Sequence, residues 1–381
     1  MSFDLACTNC EETYDNSKYR TTCQSCNGFL RIRYDTPCVA SKRVNHKLTG
    51  TARYLPMLPV SNSRNLVTMG EGNTPIVPLS RIGQILGIND IHAKLEYMNP
   101  TGAFKDRGNA IQVSVLKETG VDRVAEIGGG NTGHSLAAYC AKAGITFAAF
   151  TFEGNENRKV QTIMQTGAEM HWVNGNRQDA VDAMKIFCDQ SGTLNLSYQM
   201  NTYFIEGNKT IAYEIAEQMH PIPDHIIVPV GNGSLLLGLL WGFEEMLQDG
   251  RIERIPSLHA VQSLAFQPLV AAFHKKEWLP DLSSQSTVAI GIKIANPPRL
   301  DELIDACLGT GGQPVTVSDD EIIKWQGHLN RLEGLFVEPT SATVLAAAEK
   351  LVSDGTIRSD QKVLFPLTGF GFKEPMPSIL N

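Results

Sequence analysis

Asn99-Pro100-Thr101-Gly102-Ala103-Phe104-Lys105-Asp106-Arg107-Gly108 sets a Pro- and Gly-bearing turn before a lysine, and a helix-length segment after it. The residues in front, Ile91 to Met98, read as a strand. Strand, turn and helix in that order open a βαβ unit. A lysine at the carboxyl end of such a strand points into the usual ligand crevice of an α/β fold. With a lowered pKa it can form a Schiff base. The plain alternative is an exposed lysine near a helix start, so other segments must decide.

The same alternation extends along the chain. Arg123–Ile127, Thr146–Thr151, Glu169–Val173, His225–Val230, Ser257–Gln262, Pro314–Val317 and Lys362–Leu367 are short apolar runs of strand length. Between most of them lie helix-length stretches: Asp106–Thr119, Thr132–Ala143, Asn157–Gln165, Arg177–Gln190, Tyr203–Met219, Leu235–Gln248, Asp319–Leu332 and Thr340–Ser353. This spacing predicts an α/β body with mainly parallel sheet. At 381 residues the chain has room for two to three domains.

Hydrophobic residues make up 42% and charged residues 19%, a composition of ordinary globular material. A net charge of −7 and a pI near 5.8 argue against a non-specific nucleic-acid binder, which needs clustered Lys and Arg. No apolar run reaches the roughly 18 residues of a membrane span. The acidic start MSFDLACTNCEETYD lacks a signal-peptide core, which predicts a cytoplasmic protein.

Of eight cysteines, five fall early: Cys7, Cys10, Cys23, Cys26 and Cys38. Cys7-x2-Cys10 and Cys23-x2-Cys26, twelve residues apart, fit a four-thiolate zinc ribbon. A closed four-sulfur site leaves no position for substrate and would be structural. Disulfides are the weaker alternative, and an unmetallated ribbon remnant is the other. Cys140, Cys188 and Cys307 sit in predicted helices and are expected to be buried apolar residues. A connector of irregular Pro, Asn and Ser content, about residues 35 to 67, follows the ribbon.

Three more turns carry chemistry. Glu126-Ile127-Gly128-Gly129-Gly130-Asn131-Thr132-Gly133-His134-Ser135 follows a strand and opens a helix, whose first N–H groups suit a carboxylate or phosphate. Val228-Pro229-Val230-Gly231-Asn232-Gly233-Ser234-Leu235 is a second such turn. It is neither GxGxxG nor a P-loop, and it suits one compact phosphate such as that of pyridoxal phosphate. Leu364-Phe365-Pro366-Leu367-Thr368-Gly369-Phe370-Gly371-Phe372-Lys373 puts the Thr368 hydroxyl at a strand's carboxyl end. Glu338 precedes a helix that Pro339 and Thr340 could start, and could serve only its dipole.

Six pieces occur in order over about 300 residues: EGNTP (71–75), NPTGAFKDRG, GGGNTGHS, VPVGNGS, GLFVEPTSA and LTGFGFK. Together they resemble the threonine synthase family, among the pyridoxal-phosphate enzymes of the tryptophan-synthase β type. The head, CTNC…CQSC followed by FLRIRYD and RYLPMLPV, is similar to the zinc-ribbon start of some threonine synthases and of cysteate synthase. The resemblance implies a two-domain, three-layer parallel-sheet fold behind a small head. Its expected boundaries are 1–38 for the head, 39–107 with 206–381 for a larger cofactor-binding domain, and 108–205 for a smaller one. It also implies a homodimer.

The resemblance assigns roles position by position. Lys105 would hold the cofactor as a Schiff base and shuttle protons, and Asn131 would bond the cofactor's ring oxygen. Gly231, Asn232, Gly233 and Ser234 would bind its phosphate, and Thr368 would face the pyridine nitrogen. Thr132, Gly133 and His134 would take the substrate carboxylate. A neutral threonine at that nitrogen makes a milder electron sink than an aspartate, which favours elimination and replacement. The implied reaction converts O-phospho-L-homoserine and water to L-threonine and phosphate. Lys94, Arg107, Lys209, Lys293 and Arg299 are cationic candidates for the leaving phosphate, although for most of them a surface charge is the favoured reading.

Three positions depart from the family pattern. Ala103 stands where Ser is common, Gly128 to Gly130 replace a Ser-Ser-Gly type run, and Phe370 replaces the His of TGHG. They leave room for alternatives: β-replacement on O-phospho-L-serine, as in cysteate synthase, or a related replacement enzyme of secondary metabolism. A non-enzyme reading, a ribbon on an inactive body, conflicts with the retained Lys105.

Overall fold

The computed structural model describes residues 3–35, 44–196, 201–280 and 285–374, and Cys38 lies outside them. The first strands are β1 (Phe3–Cys7), β2 (Thr13–Tyr14), β3 (Leu30–Tyr34), β4 (Ile76–Pro78), β5 (Asp90–Lys94), β6 (Arg123–Ile127) and β7 (Thr146–Phe152). They are followed by β8 (Glu169–Val173), β9 (Leu194–Asn195), β10 (His225–Pro229), β11 (Ser257–Ser263), β12 (Pro314–Val317) and β13 (Lys362–Pro366). The helices begin with α1 (Ser80–Leu86), α2 (Lys105–Glu118), α3 (Asn131–Ala143), α4 (Arg158–Gln165), α5 (Arg177–Ser191) and α6 (Thr202–Asn208). The rest are α7 (Thr210–Gln218), α8 (Ser234–Gln248), α9 (Pro268–Phe273), α10 (Leu300–Gly309), α11 (Asp319–Glu333) and α12 (Pro339–Ser353).

The chain divides into two compact units, Met1–Asn73 with Asn99–Thr101 and Lys105–Thr210, and Thr74–Met98 with Gly102–Phe104 and Ile211–Asn381. The first unit holds a parallel sheet in the order β8-β7-β6-β9 and an antiparallel head in the order β2-β1-β3. Ala125, Ala148, Phe150, Met184 and Cys188 form a core between its sheet and α5. Its helices end where glycine can take a positive φ, at Gly144 (72°) after α3 and Gly192 (69°) after α5.

The second unit holds a six-stranded sheet in the order β12-β11-β10-β13-β5-β4. Every pairing in it is parallel except β4 with β5, at the edge. β10 is buried at all five positions, which explains its unbroken apolar run. Trp325, Leu345, Val363 and Phe365 lie in one core that α11, α12 and this sheet share. Ser318 and Glu321 make a reciprocal capping box that starts α11.

The α/β architecture agrees with the sequence expectation, and four details differ. The strand expected over Ile91–Met98 stops at Lys94, because the backbone winds into a 3-10 turn at Glu96–Met98 with Met98 N–H bonding Leu95 O at 3.0 Å. The single helix expected over Tyr203–Met219 is broken at Lys209. There the Thr210 hydroxyl donates to Gly207 O at 2.7 Å, and a side chain on Gly207 would strike Arg107 O. Helices α1, α9 and α10 were not anticipated.

The fourth difference concerns 39–73, expected with the larger domain. Here its described part groups with the four-stranded unit, where Val67 N–H bonds Ser114 Oγ at 2.8 Å and Ser61 N–H bonds Glu118 at 3.1 Å. No described helix is long and apolar enough to cross a membrane. Cys140, Cys188 and Cys307 are buried in helices, as expected.

Candidate active site

Lys105 is the first residue of α2 and is half-buried. Its Nζ lies 5.6 Å from the centroid of the Phe204 ring. That ring packs on α2 only because residue 108 is glycine: a Cβ there would come within 2.6 Å of it. The lysine's ammonium group thus lies over the face of an aromatic ring. Nothing in its own segment marks Phe204 as a neighbour of the lysine.

Asp106 ties this lysine's turn to the next motif. Its carboxylate accepts from Thr101 N–H at 2.7 Å, Thr101 Oγ1 at 2.6 Å and Ser135 Oγ at 2.5 Å. Thr101 belongs to the NPTG turn and Ser135 to the first turns of α3. Two segments separated in sequence are therefore held by one fully buried carboxylate. Glu71 of EGNTP joins them through Tyr139 of α3, whose hydroxyl donates at 2.7 Å. Burial raises the Glu71 carboxyl above its ordinary range.

The turn from β6 into α3 is tight. A Cβ on Gly128 would come 2.9 Å from Ala149 of β7, and one on Gly133 would meet Ile127 O at 3.0 Å. Gly130 is the N-cap, so Asn131, Thr132, Gly133 and His134 form the first turn of α3. A helix start presents its N–H groups and a partial positive charge, which suits a carboxylate.

The glycine turn after β10 is in the second unit. Gly231, Asn232 and Gly233 lead from β10 into Ser234, the first residue of α8. Gly233 has φ +83°, and a Cβ on it would sit 2.1 Å from Leu303 of α10. A Cβ on Gly231 would press on Gly291 O at 3.1 Å. Only glycine allows this close cradle at the start of a 15-residue helix.

Thr368 follows β13 and is 5% exposed. Its carbonyl accepts from Phe104 N–H at 3.1 Å, and Ala103 bridges Gly369 in antiparallel fashion. Lys105 is the next residue after Phe104 in the chain. Gly369 cannot carry a side chain, because a Cβ would fall 2.1 Å from Glu338 Oε2. Phe370 stacks on Tyr97 with ring centroids 5.4 Å apart and contacts Phe372 edge-on at 5.0 Å.

The cationic candidates have local partners. Lys94 pairs with Glu214 at 2.9 Å and Lys209 with Glu206 at 2.6 Å, all four side chains buried. Arg107 donates to Thr210 Oγ1 at 3.1 Å, Arg299 pairs with Glu302 at 2.7 Å, and Lys293 lies 5.5 Å from the Phe266 ring centroid. These contacts account for each cation within its own unit.

In the head, the four Sγ atoms of Cys7, Cys10, Cys23 and Cys26 lie within 4.8 Å of one another. The Cys7–Cys26 and Cys10–Cys26 separations are 3.5 Å, and Cys10–Cys23 is 3.6 Å. A tetrahedron with Zn–S bonds of about 2.3 Å has edges of about 3.8 Å, whereas a disulfide needs about 2.05 Å. Glu11 and Asn27, each next to the second cysteine of a pair, take left-handed φ of 61° and 57° and turn the backbone around the sulfurs. The Tyr14 hydroxyl, 3.1 Å from Cys23 Sγ, is the main cause that pulls that thiol down to about 6. Cys7 is lowered too, while Cys26 is raised and Cys10 is raised to about 12, so the metal reading rests on the sulfur geometry.

Comparison with known proteins gives a consistent picture. The pattern of the family described as pyridoxal-phosphate dependent enzyme matches residues 67–369. The chain is 37% identical over 381 residues to the threonine synthase of Methanocaldococcus jannaschii, covering 98% of this chain and 93% of that protein. It is 34% identical to the threonine synthase of Methanosarcina acetivorans, over 99% and 94%. Among solved structures, maize serine racemase aligns with a TM-score of 0.67 at 21% identity, over 78% of this chain and 88% of that one. A threonine deaminase from Solanum lycopersicum aligns at 0.69 and 18%, over 84% and 89%. These structural likenesses speak to the fold.

Proposed function

The chain belongs to the pyridoxal-phosphate-dependent enzyme family, and we propose that it acts there as a threonine synthase. It is a lyase that converts O-phospho-L-homoserine and water to L-threonine and phosphate. The observation that carries this reading is the likeness to threonine synthases over 98% of the chain, head included.

The residues fit the cofactor. Gly231, Asn232, Gly233 and Ser234 lead into the start of α8, whose free N–H groups suit a phosphate, and residue 233 must be glycine because a Cβ there would strike Leu303. Pyridoxal phosphate, when bound, supplies the electron sink for deprotonation next to the amine. Lys105 would hold it covalently and, as a free amine, would take and return protons at the substrate's carbons. Asn131 would bind the ring oxygen, and Thr368 would face the ring nitrogen as a neutral partner. Thr132, Gly133 and His134 take the substrate carboxylate at the start of α3. Asp106 keeps that turn and the NPTG turn in fixed relation.

Cys7, Cys10, Cys23 and Cys26 would hold zinc as a structural ion. The family resemblance supports a cytoplasmic homodimer.

The test is phosphate release from O-phospho-L-homoserine and from O-phospho-L-serine plus sulfite, with acetate release from O-acetyl-L-serine as a further control. Threonine and phosphate should form from the first substrate only. Lys105→Ala should lower the rate by about three orders of magnitude or more and abolish borohydride trapping of the cofactor on the protein. Phosphate release from O-phospho-L-serine alone would overturn the assignment in favour of β-replacement.

A further inference from the structure

Ser341 lies in the first turn of α12 and is fully buried. Its Oγ accepts the Gly369 N–H at 2.9 Å. A serine hydroxyl has one proton to give. Two oxygens are within its reach, Thr368 Oγ1 at 3.0 Å and Gly369 O at 3.3 Å. Gly369 O already accepts the Glu338 N–H at 3.0 Å. The shorter distance favours Thr368 Oγ1 as the acceptor of the Ser341 proton.

From this we infer that Ser341 is a positioning residue that fixes the direction of the Thr368 hydroxyl proton. Having accepted from Ser341, Thr368 turns its own O–H outward and becomes a donor. An unprotonated pyridine nitrogen offers only a lone pair, so it needs a donor opposite. Were Thr368 to donate to Ser341 instead, it would present lone pairs and favour a protonated ring nitrogen, a stronger electron sink. Ser341 thereby sets the mildness of the sink without touching the cofactor. The backbone around Thr368 is otherwise pinned, by Phe104 N–H on its carbonyl and Glu338 N–H on the next one. The hydroxyl rotor is the freedom that remains, and Ser341 controls it. The inference rests on the placing of Thr368 at the ring nitrogen.

The experiment is a double-mutant cycle on the full-length protein, with Ser341→Ala, Thr368→Val and the pair. Cofactor affinity is read by titration with pyridoxal phosphate. The pH dependence of the bound cofactor's near-visible absorption is read alongside. Each single variant should weaken binding by about tenfold, the worth of roughly one hydrogen bond, and shift the pH profile. The double variant should be no weaker than Thr368→Val. Ser341→Cys, with a weak S–H donor of similar size, should fall between wild type and Ser341→Ala, and it replaces Ser341→Ala in the cycle if the alanine variant does not fold. Losses that multiply in the double variant, or a pH profile unmoved by Ser341→Ala, would overturn the inference. Wild-type protein that takes up no pyridoxal phosphate would instead overturn the family function on which it stands.

Discussion

Asp106 organises more of the site than the lysine beside it. One carboxylate with three short hydrogen bonds fixes the NPTG turn to α3. Asp106→Asn keeps the shape but replaces one acceptor oxygen with a donor that faces other donors. Bonds to a buried charge are worth more than neutral ones, so the change should destabilise the protein by about 3 kcal/mol. It should lower kcat by about a hundredfold, because displaced turns misplace reacting groups. Thermal melting and steady-state kinetics check both, and an unchanged melting temperature would refute the linking role. The sequence marked Lys105, Asn131 and Thr368 through their motifs. It did not mark Phe204 or Ser341, whose significance depends on what lies across from them.

Among elements, β10 and β11 are joined by more than their ladder. His225 Nδ1 and His259 Nε2 lie 3.0 Å apart in a buried pair, and Gln313 N–H donates to His259 Nδ1 at 3.2 Å. Burial pushes His259 down to about 4, with the neighbouring His225 acting the same way, and burial also lowers His225. The folded protein therefore holds both rings neutral where the unfolded chain, at about 6.5, would bind protons. Stability is complete above about pH 6.5 and is lost as pH falls from there toward 4. His259→Gln should flatten that loss, as measured by urea midpoints at pH 7.5 and pH 5, and an equally steep loss in the variant would refute the assignment. Strands bounded by clear turn signals were legible: β6, β8 and β12 match the expected spans residue for residue. Short ones were not, since β4 has three residues and α9 six, too few for a period to register.

At the scale of the whole molecule, the zinc head and the assembly can each be tested. Atomic emission should find about one zinc per chain, and Cys23→Ser should remove it with a lower melting temperature, because four thiolates bind far better than three. The variant should still bind pyridoxal phosphate, since no head residue belongs to the proposed site. Light scattering should give twice the 41.7 kDa mass of one chain. The sequence by itself determined the α/β class, the parallel sheets, the cysteine ribbon and the cofactor motifs. Each of these is written in local spacing: a period of apolar residues, a glycine turn, a pair of CxxC repeats. Tertiary structure alone decided that residues 44–73 join the smaller sheet's unit, that five suspected phosphate-binding cations have local partners, and that Ser341 holds Thr368. Those outcomes depend on contacts between distant segments, and a side chain's partner across the fold leaves no periodic trace in its own neighbours.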